Sequence, residues 1–312
     1  MKFNLIFVDK NFWHQRIDNF LFRTFKNVPK SLIYRFIRIG KIKINDRKID
    51  PKYKVETKDI IKIPISFPYR KDIQYLPQKS KFYWIKKRVI YEDSEILVLD
   101  KPSGIPVHSG SKSTFGIIEI LRQVFRDGNY LELIHRIDKE TSGILLLARS
   151  ITSLRTIQNQ FRLKTVIKRY IFLAHGIWPD EVDRISCTLS KKKIKRRRIG
   201  ESSKYDEKSE TLFTVKERFS SFTLMVATPT TGRNHQIRLH AKYVNHPIVL
   251  DKRYGNRELD KLLKKSGLKR LFLHARSITI NHPKNLVDLT FLSPIDKNLE
   301  QCLMWIREND RK

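Results

Sequence analysis

The chain of 312 residues is long enough for about two domains, and 40% hydrophobic residues exclude a wholly disordered protein. Its 64 Lys and Arg against 32 Asp and Glu give a formal charge of +32, which favours an anionic partner, with nucleic acid the first candidate and an anionic membrane surface the second. The sequence shows no apolar run of about 18 residues, no secretory signal pattern and too few cysteines for a disulfide framework or a thiolate metal site, so we expect a cytoplasmic protein.

Residues 15–63 predict a small basic module. Apolar residues at helical spacing predict helices around 17–25 and 33–37, and alternating segments at 41–44 and 60–63 predict short strands. Arg35 and Arg38 are three apart on the helix side away from the apolar residues, and Lys41 adds charge nearby. We expect these three side chains to contact RNA phosphates, although any one of them alone could simply be a solvated surface charge.

Residues 64–83 predict a linker between two domains, because three prolines and mixed charges interrupt any periodicity there. The apolar segment 95–100 beyond it predicts a buried strand. The predicted organisation is therefore a small module at 13–63 and a larger domain at 84–312.

Residues 133–148 place a polar loop between two apolar strands. Asp138 lies on that loop, close to Arg136 and before a Thr-Ser-Gly turn. A loop Asp is most often a turn former, and His135 with Asp138 has no third metal ligand at useful spacing. These residues alone leave the loop's chemistry undecided.

A helix is predicted next, with Ser153 as its cap and an apolar face that includes Phe161. Tyr170 then enters a buried strand, where a lone aromatic is usually part of the core. The basic run at 191–198 predicts an exposed loop, which is either a solvated insert or a contact to the RNA backbone.

Residues 228–240 predict a Thr-Gly turn followed by a strand rich in Arg and His. Arg233, His235 and Arg238 offer many hydrogen-bond donors, which suit a phosphate or a carboxylate. Arg233 could equally be an ordinary surface charge. On a strand, His235 and His240 would point to opposite faces, which argues against a metal site.

Several of these segments resemble known families. Residues 16–21 and 31–45 are similar to the S4 RNA-binding domain. The His-Arg-Ile-Asp-x-x-Thr-Ser-Gly pattern at 135–143, Lys-x-Tyr at 168–170 and Gly-Arg-x-His-Gln-Ile-Arg at 232–238 resemble the RluA family of pseudouridine synthases. The resemblance covers roughly residues 13–305.

The resemblance implies an α+β protein, in which a small S4 module precedes a catalytic domain with a mixed, mainly antiparallel central sheet. The implied reaction isomerises uridine in RNA without a cofactor or metal. By analogy, Asp138 is the catalytic carboxylate, kept ionised by Arg238, and Tyr170 packs against the uracil. Arg136 would fill the gap left by a flipped uridine. Whether Asp138 attacks the sugar, attacks the base or removes a sugar proton stays open.

Family members with an S4 domain imply 23S rRNA or a large-subunit precursor as the partner, with target uridines near the peptidyl transferase centre. Arg233 and His235 are then expected to help bind the RNA. We expect a monomer with no obligate protein partner and no membrane. Two alternatives remain open: the same chemistry on tRNA, and a non-catalytic ribosome-binding factor that uses both domains only for RNA affinity.

Overall fold

The computed structural model divides the chain into two compact units, Met1–Gln78 and Lys79–Lys312. The structure describes residues 3–8, 12–25, 28–68, 79–109, 115–125, 130–188 and 208–310. The basic run at 191–198 lies outside these residues, and so does much of the predicted linker at 64–83. The boundaries proposed for that linker stay a prediction.

The first unit packs two helices against a four-stranded sheet with the strand order β1-β4-β2-β3. Its elements are β1 (Phe3–Phe7), α1 (Ile17–Thr24), α2 (Lys30–Arg38), β2 (Lys43–Ile44), β3 (Arg47–Lys48) and β4 (Ile60–Pro64). The two predicted helices are present as α1 and α2, and the two predicted strands are present as β2 and β4. β1 was not predicted, and it pairs antiparallel with β4 along its whole length. Ile17 and Leu21 of α1 pack with Ile33 and Ile37 of α2 in one buried cluster.

The second unit is built around a larger sheet, for which the structure describes ten strands. Its strands are β5 (Val89–Glu92), β6 (Ile96–Lys101), β7 (Glu132–Leu133), β8 (Ser142–Ala148), β9 (Ile167–His175), β10 (Arg184–Thr188), β11 (Lys208–Arg218), β12 (Phe222–Pro229), β13 (Leu273–Asn281) and β14 (Asp288–Leu292). Its helices are α3 (Ile117–Val124), α4 (Ile151–Leu163), α5 (Gln236–Tyr243), α6 (Arg257–Asp260) and α7 (Lys297–Asn309), with 3-10 helices at Lys79–Arg88 and Lys261–Ser266.

The sheet is mainly antiparallel, in the order β10-β11-β12-β9-β13-β8-β6-β5, with β7 paired to β8 and β14 to β13. Among the described strands, β8 and β13 form the parallel pair. Every residue of β8 is buried because the sheet is covered on both faces. Leu145 and Leu147 face a cluster that includes α3, whereas Ile144 and Leu146 face a cluster that includes α4.

Two local predictions were wrong. Residues 236–243 form the helix α5, not a strand. The apolar positions Ile237, Ala241 and Val244 follow helical spacing and pack into one cluster, and this pattern outweighs the short alternation of residues 237–239. At α4 the cap is Ser150, whose hydroxyl accepts a hydrogen bond from the Ser153 amide at 3.0 Å.

Candidate active site

The loop that carries Asp138 is fixed by the start of β8. The Thr141 amide donates to the Asp138 carbonyl at 3.2 Å, which closes a tight turn. Gly143 follows with a φ of +103°, and a Cβ atom there would lie 2.2 Å from the Ala275 carbonyl oxygen of β13. The Thr-Ser-Gly turn therefore lets two parallel strands approach closely at the point where the loop meets the sheet.

Lys101 and Ser103 donate hydrogen bonds to the backbone of the same loop. The fully buried Lys101 ammonium donates to the carbonyls of Pro102, Ile105 and Lys139 at 2.7, 2.9 and 3.1 Å. The Ser103 hydroxyl donates to the Glu140 carbonyl at 2.6 Å. Burial lowers the pKa of Lys101 to about 7, and the three carbonyl acceptors partly replace the water that its ammonium form has lost.

Arg238 links Asp138 to a second carboxylate. Its Nε and Nη2 atoms each donate to Asp251 at 2.7 Å, and its Nη1 lies 3.3 Å from Asp138 Oδ2. Asp251 also accepts hydrogen bonds from the amides of Arg253 and Tyr254 at 2.9 and 3.0 Å. Burial opposes both charges, but the mutual hydrogen bonds prevail, so the pKa of Arg238 is raised and the pKa of Asp251 is lowered. Asp251 thus orients a cation that faces Asp138.

His235 lies on the other side of Asp138, at the N-cap of α5. Its φ of +54° is in the left-handed region, which is uncommon outside glycine. Its Nδ1 is 2.8 Å from the Tyr254 hydroxyl, and its Nε2 is 3.8 Å from Asp138 Oδ2. Burial lowers the pKa of His235 even though Asp138 opposes this shift. A neutral imidazole therefore stands beside the carboxylate at neutral pH.

These groups open into a cavity of about 590 Å³, a size typical of small-ligand pockets. Tyr170 of β9 lines it together with the apolar side chains of Ile137 and Leu273. Burial first, and the charge of Asp138 second, raise the pKa of Tyr170, so its phenol stays neutral. The cavity can hold a flat, largely neutral group against Tyr170 with one carboxylate at its edge.

The structure brings most of the predicted site residues to this one cavity. They are Arg136, Asp138, Tyr170, Arg233, His235 and Arg238. Arg136 and Arg233 are exposed, as expected of groups that meet a large ligand. The remaining three predicted residues lie exposed on the first unit, where Arg38 stacks over the Tyr34 ring at 5.8 Å and Lys41 over the Phe36 ring at 5.5 Å.

Sequence reasoning missed Asp251 and Tyr254 as members of the site. The available signal was a short Asp-Lys-Arg-Tyr-Gly segment at 251–255. This segment requires glycine at position 255, because a Cβ atom there would lie 2.5 Å from the Asp251 carbonyl oxygen. That tight turn places two backbone amides on the Asp251 carboxylate.

The described residues were compared with the ligand sets that metal ions need. Within the part of the chain that the structure describes, no group of three or more His, Cys, Asp or Glu side chains could hold an ion. His240 is buried against the Ser209 hydroxyl at 2.9 Å, whereas His235 faces Asp138. None of the described helices combines the length and the apolar composition needed to cross a membrane.

Comparison with known proteins shows the family to which the chain belongs. Residues 95–243 match the RNA pseudouridylate synthase family, and residues 15–61 match the S4 domain. The ribosomal large subunit pseudouridine synthase C of Haemophilus influenzae is 42% identical over 297 residues, which cover 95% of this chain and 92% of that protein. The protein of the same name from Escherichia coli is 42% identical over 297 residues, covering 94% and 93%.

A solved structure supports the fold as well. Human RNA pseudouridylate synthase domain containing 4 superimposes with a TM-score of 0.63 at 24% identity, covering 73% of this chain and 96% of that one. The family match and the relatives that cover nearly the whole chain identify an RNA-modifying enzyme of the pseudouridine synthase class. The chain belongs to the RNA pseudouridylate synthase family and carries an N-terminal S4 domain. The predicted α+β fold class and the predicted enzyme class are confirmed.

Proposed function

We propose that this enzyme converts specific uridines of 23S rRNA, near the peptidyl transferase centre, into pseudouridine. The relatives that match along nearly the whole chain carry large-subunit names. The formal charge of +32 suits a large structured RNA, since each basic side chain near a phosphate releases a bound counterion. Free 23S rRNA and a large-subunit precursor both offer such a surface.

The observation that carries the chemical proposal is the placement of Asp138 against Arg238 at the edge of the cavity. In the reaction the N1–C1′ bond breaks, the uracil turns, C5 joins C1′, and the C5 proton leaves while N1 gains one. An ionised Asp138 can act at the sugar or at the base during these steps, with Arg238 countering its charge. The neutral Tyr170 phenol stacks on the uracil and can relay a proton.

The target uridine must leave the RNA helix to reach this cavity, because C1′ and C5 are covered in a stacked duplex. Flipping a base costs a few kcal/mol. We assign Arg136, exposed beside Asp138, to the gap that the flipped uridine leaves. Arg233 and His235 then hold the RNA at the rim of the cavity. On the S4 unit, Arg35, Arg38 and Lys41 contact the phosphate backbone and supply binding energy that offsets the flip.

The substitution Asp138→Asn tests the chemical role, since it removes the charge but keeps the shape. In cells that lack the wild-type gene, primer extension after carbodiimide treatment maps the pseudouridines in 23S rRNA. Wild-type protein should restore the missing stops, whereas the Asp138→Asn protein should not. If the Asp138→Asn protein restores them fully, the enzymatic role of Asp138 is wrong and a non-catalytic RNA-binding role gains support.

The RNA target is tested separately with purified protein. Incubation with 23S rRNA and with tRNA, each mapped by the same method, should give pseudouridine in the rRNA. Modification of tRNA alone would overturn the proposed substrate but leave the chemistry intact.

We further place the enzyme in the cytoplasm, where ribosomal RNA is made in bacteria, and infer that it works as a monomer without an obligate protein partner. Light scattering on the purified full chain tests the last point. A mass near 37.2 kDa is expected, and a stable multiple of it would contradict the monomer.

A further inference from the structure

Part of the active-site cavity, named here the basic lobe, is not used by the chemistry above and is lined by Arg162, Lys164 and Lys168. Lys168 lies on β9 two residues before Tyr170, so both side chains leave the strand on the same face, about 6.6 Å apart along it. Both line the cavity, whereas Arg169 between them is exposed. Lys168 therefore stands next to the base-stacking position.

Lys168 has no negative partner among the residues that the structure describes. Its ammonium is 3.4 Å from the Thr231 carbonyl and 5.8 Å from the centre of the Phe161 ring. Asp138, the carboxylate of the cavity lining, is already paired with Arg238. Burial lowers the pKa of Lys168 to about 8, as expected for a half-buried cation that lacks an anion.

The cavity lining as a whole also has more cationic than anionic side chains. Besides Lys168 it contains Arg162 and Lys164, which lie at the C-terminal end of the helix α4. Such a lobe is suited to an anion, because bringing an anion next to a half-buried cation restores neutrality without a carboxylate of the protein. Within a uridine nucleotide, the only anionic groups are the phosphodiesters on either side of the ribose.

We propose that Lys168 binds a phosphodiester that flanks the flipped uridine and so fixes the position of its ribose over Asp138. This inference rests on the proposed function, because it assumes that the uridine of an RNA strand occupies the cavity. Contact with a neutral uracil carbonyl is the competing role for Lys168, but it would leave the ammonium without a counter-charge. The two roles differ in what happens when the phosphate is made neutral.

The test uses a short RNA with one target uridine and a set of copies in which a single linkage is a neutral methylphosphonate. Dissociation constants and single-turnover rates are measured for wild type, Lys168→Gln and Lys168→Arg. For wild type, neutralising one of the two flanking linkages should weaken binding about 10- to 100-fold, as expected for a lost charge-assisted hydrogen bond. Lys168→Gln should lose a similar factor on the unmodified RNA and become insensitive to that one linkage.

Lys168→Arg keeps the charge and should retain sensitivity to the same linkage. Lys216→Gln is the matched control, because Lys216 is an exposed strand lysine that does not line the cavity, and it should behave as wild type. Thermal unfolding checks that each variant is folded. If Lys168→Gln binds weakly yet stays as sensitive as wild type to every neutral linkage, the phosphate contact is wrong. A wild-type protein that binds in the predicted charge-dependent way but makes no pseudouridine would instead contradict the proposed function.

Discussion

Arg238 contacts two carboxylates that lie in different environments. This difference predicts that two matched substitutions will affect different properties of the protein. The side chain of Asp251 is 1% exposed and receives both hydrogen bonds of the bidentate pair. The side chain of Asp138 is 20% exposed and meets one guanidinium nitrogen at 3.3 Å. We expect Asp251→Asn to reduce stability mainly and Asp138→Asn to reduce activity mainly.

The magnitudes follow from burial. Breaking a buried ion pair costs about 3–5 kcal/mol. Asp251→Asn should fall near 3 kcal/mol, because the amide oxygen still accepts one hydrogen bond and Asp138 still faces the Arg238 charge. For a domain of this size that cost corresponds to a drop in Tm of roughly 6 to 12 °C. Asp138→Asn leaves the bidentate pair intact, so its effect should stay within about 1 kcal/mol.

Thermal unfolding by circular dichroism and single-turnover pseudouridine formation, at a temperature where both variants are folded, measure the two effects. Asp138→Asn should lower the rate by on the order of 10²- to 10⁴-fold or more, and Asp251→Asn by much less. The double variant Arg238→Met with Asp251→Asn should recover part of the lost stability, since it removes both charges of the buried bidentate pair, and the Asp138 carboxylate that loses its partner is partly exposed to water. Equal destabilisation by the two single substitutions would refute the division of roles between the carboxylates.

Three further outcomes are expected. The free energy of unfolding should fall as the pH is lowered from 6.5 towards 4, because the unfolded state binds protons at three histidines whose folded pKa is lowered by burial to about 3 or 4. Each of these histidines contributes a loss of about 1.4 kcal/mol per pH unit. These histidines are His135, His240 and His274. Urea midpoints at pH 7 and pH 5 measure this loss of stability, and the loss should be smaller in the His240→Gln variant. An equal loss in that variant and in the wild type would contradict the assignment to His240. Gly143→Ala should prevent soluble expression or cost more than about 3 kcal/mol, because of the contact with Ala275, whereas Gly232→Ala, with open space around it, should unfold like wild type. Neutralising three S4 residues together should weaken rRNA binding and reduce the slope of log affinity against log salt by about 2 to 3, and an unchanged slope would remove them from the interface. These residues are Arg35, Arg38 and Lys41.

Local patterns in the sequence determined much of this protein. The helical spacing of Ile17, Leu21, Ile33 and Ile37 predicted the two helices of the first unit, because a buried apolar stripe requires that spacing. The apolar run of β8 predicted a strand, and the structure confirms it. The three motifs that resemble the synthase family pointed to Asp138 and to Arg238, which lie 100 positions apart in the chain and meet in the cavity.

Tertiary structure decided what those local patterns could not. Alternation over a few residues cannot separate a strand from a helix, so the direction in which Arg238 points depended on α5 and on the core it packs against. Asp251 acquires its role only because the tight turn at 251–255 brings its carboxylate to Arg238. The same is true of Lys168, whose position in the lobe results from the pairing of β9 with its neighbouring strands. Burial and opposing charges set the protonation states of the site, and both exist only once the chain has folded.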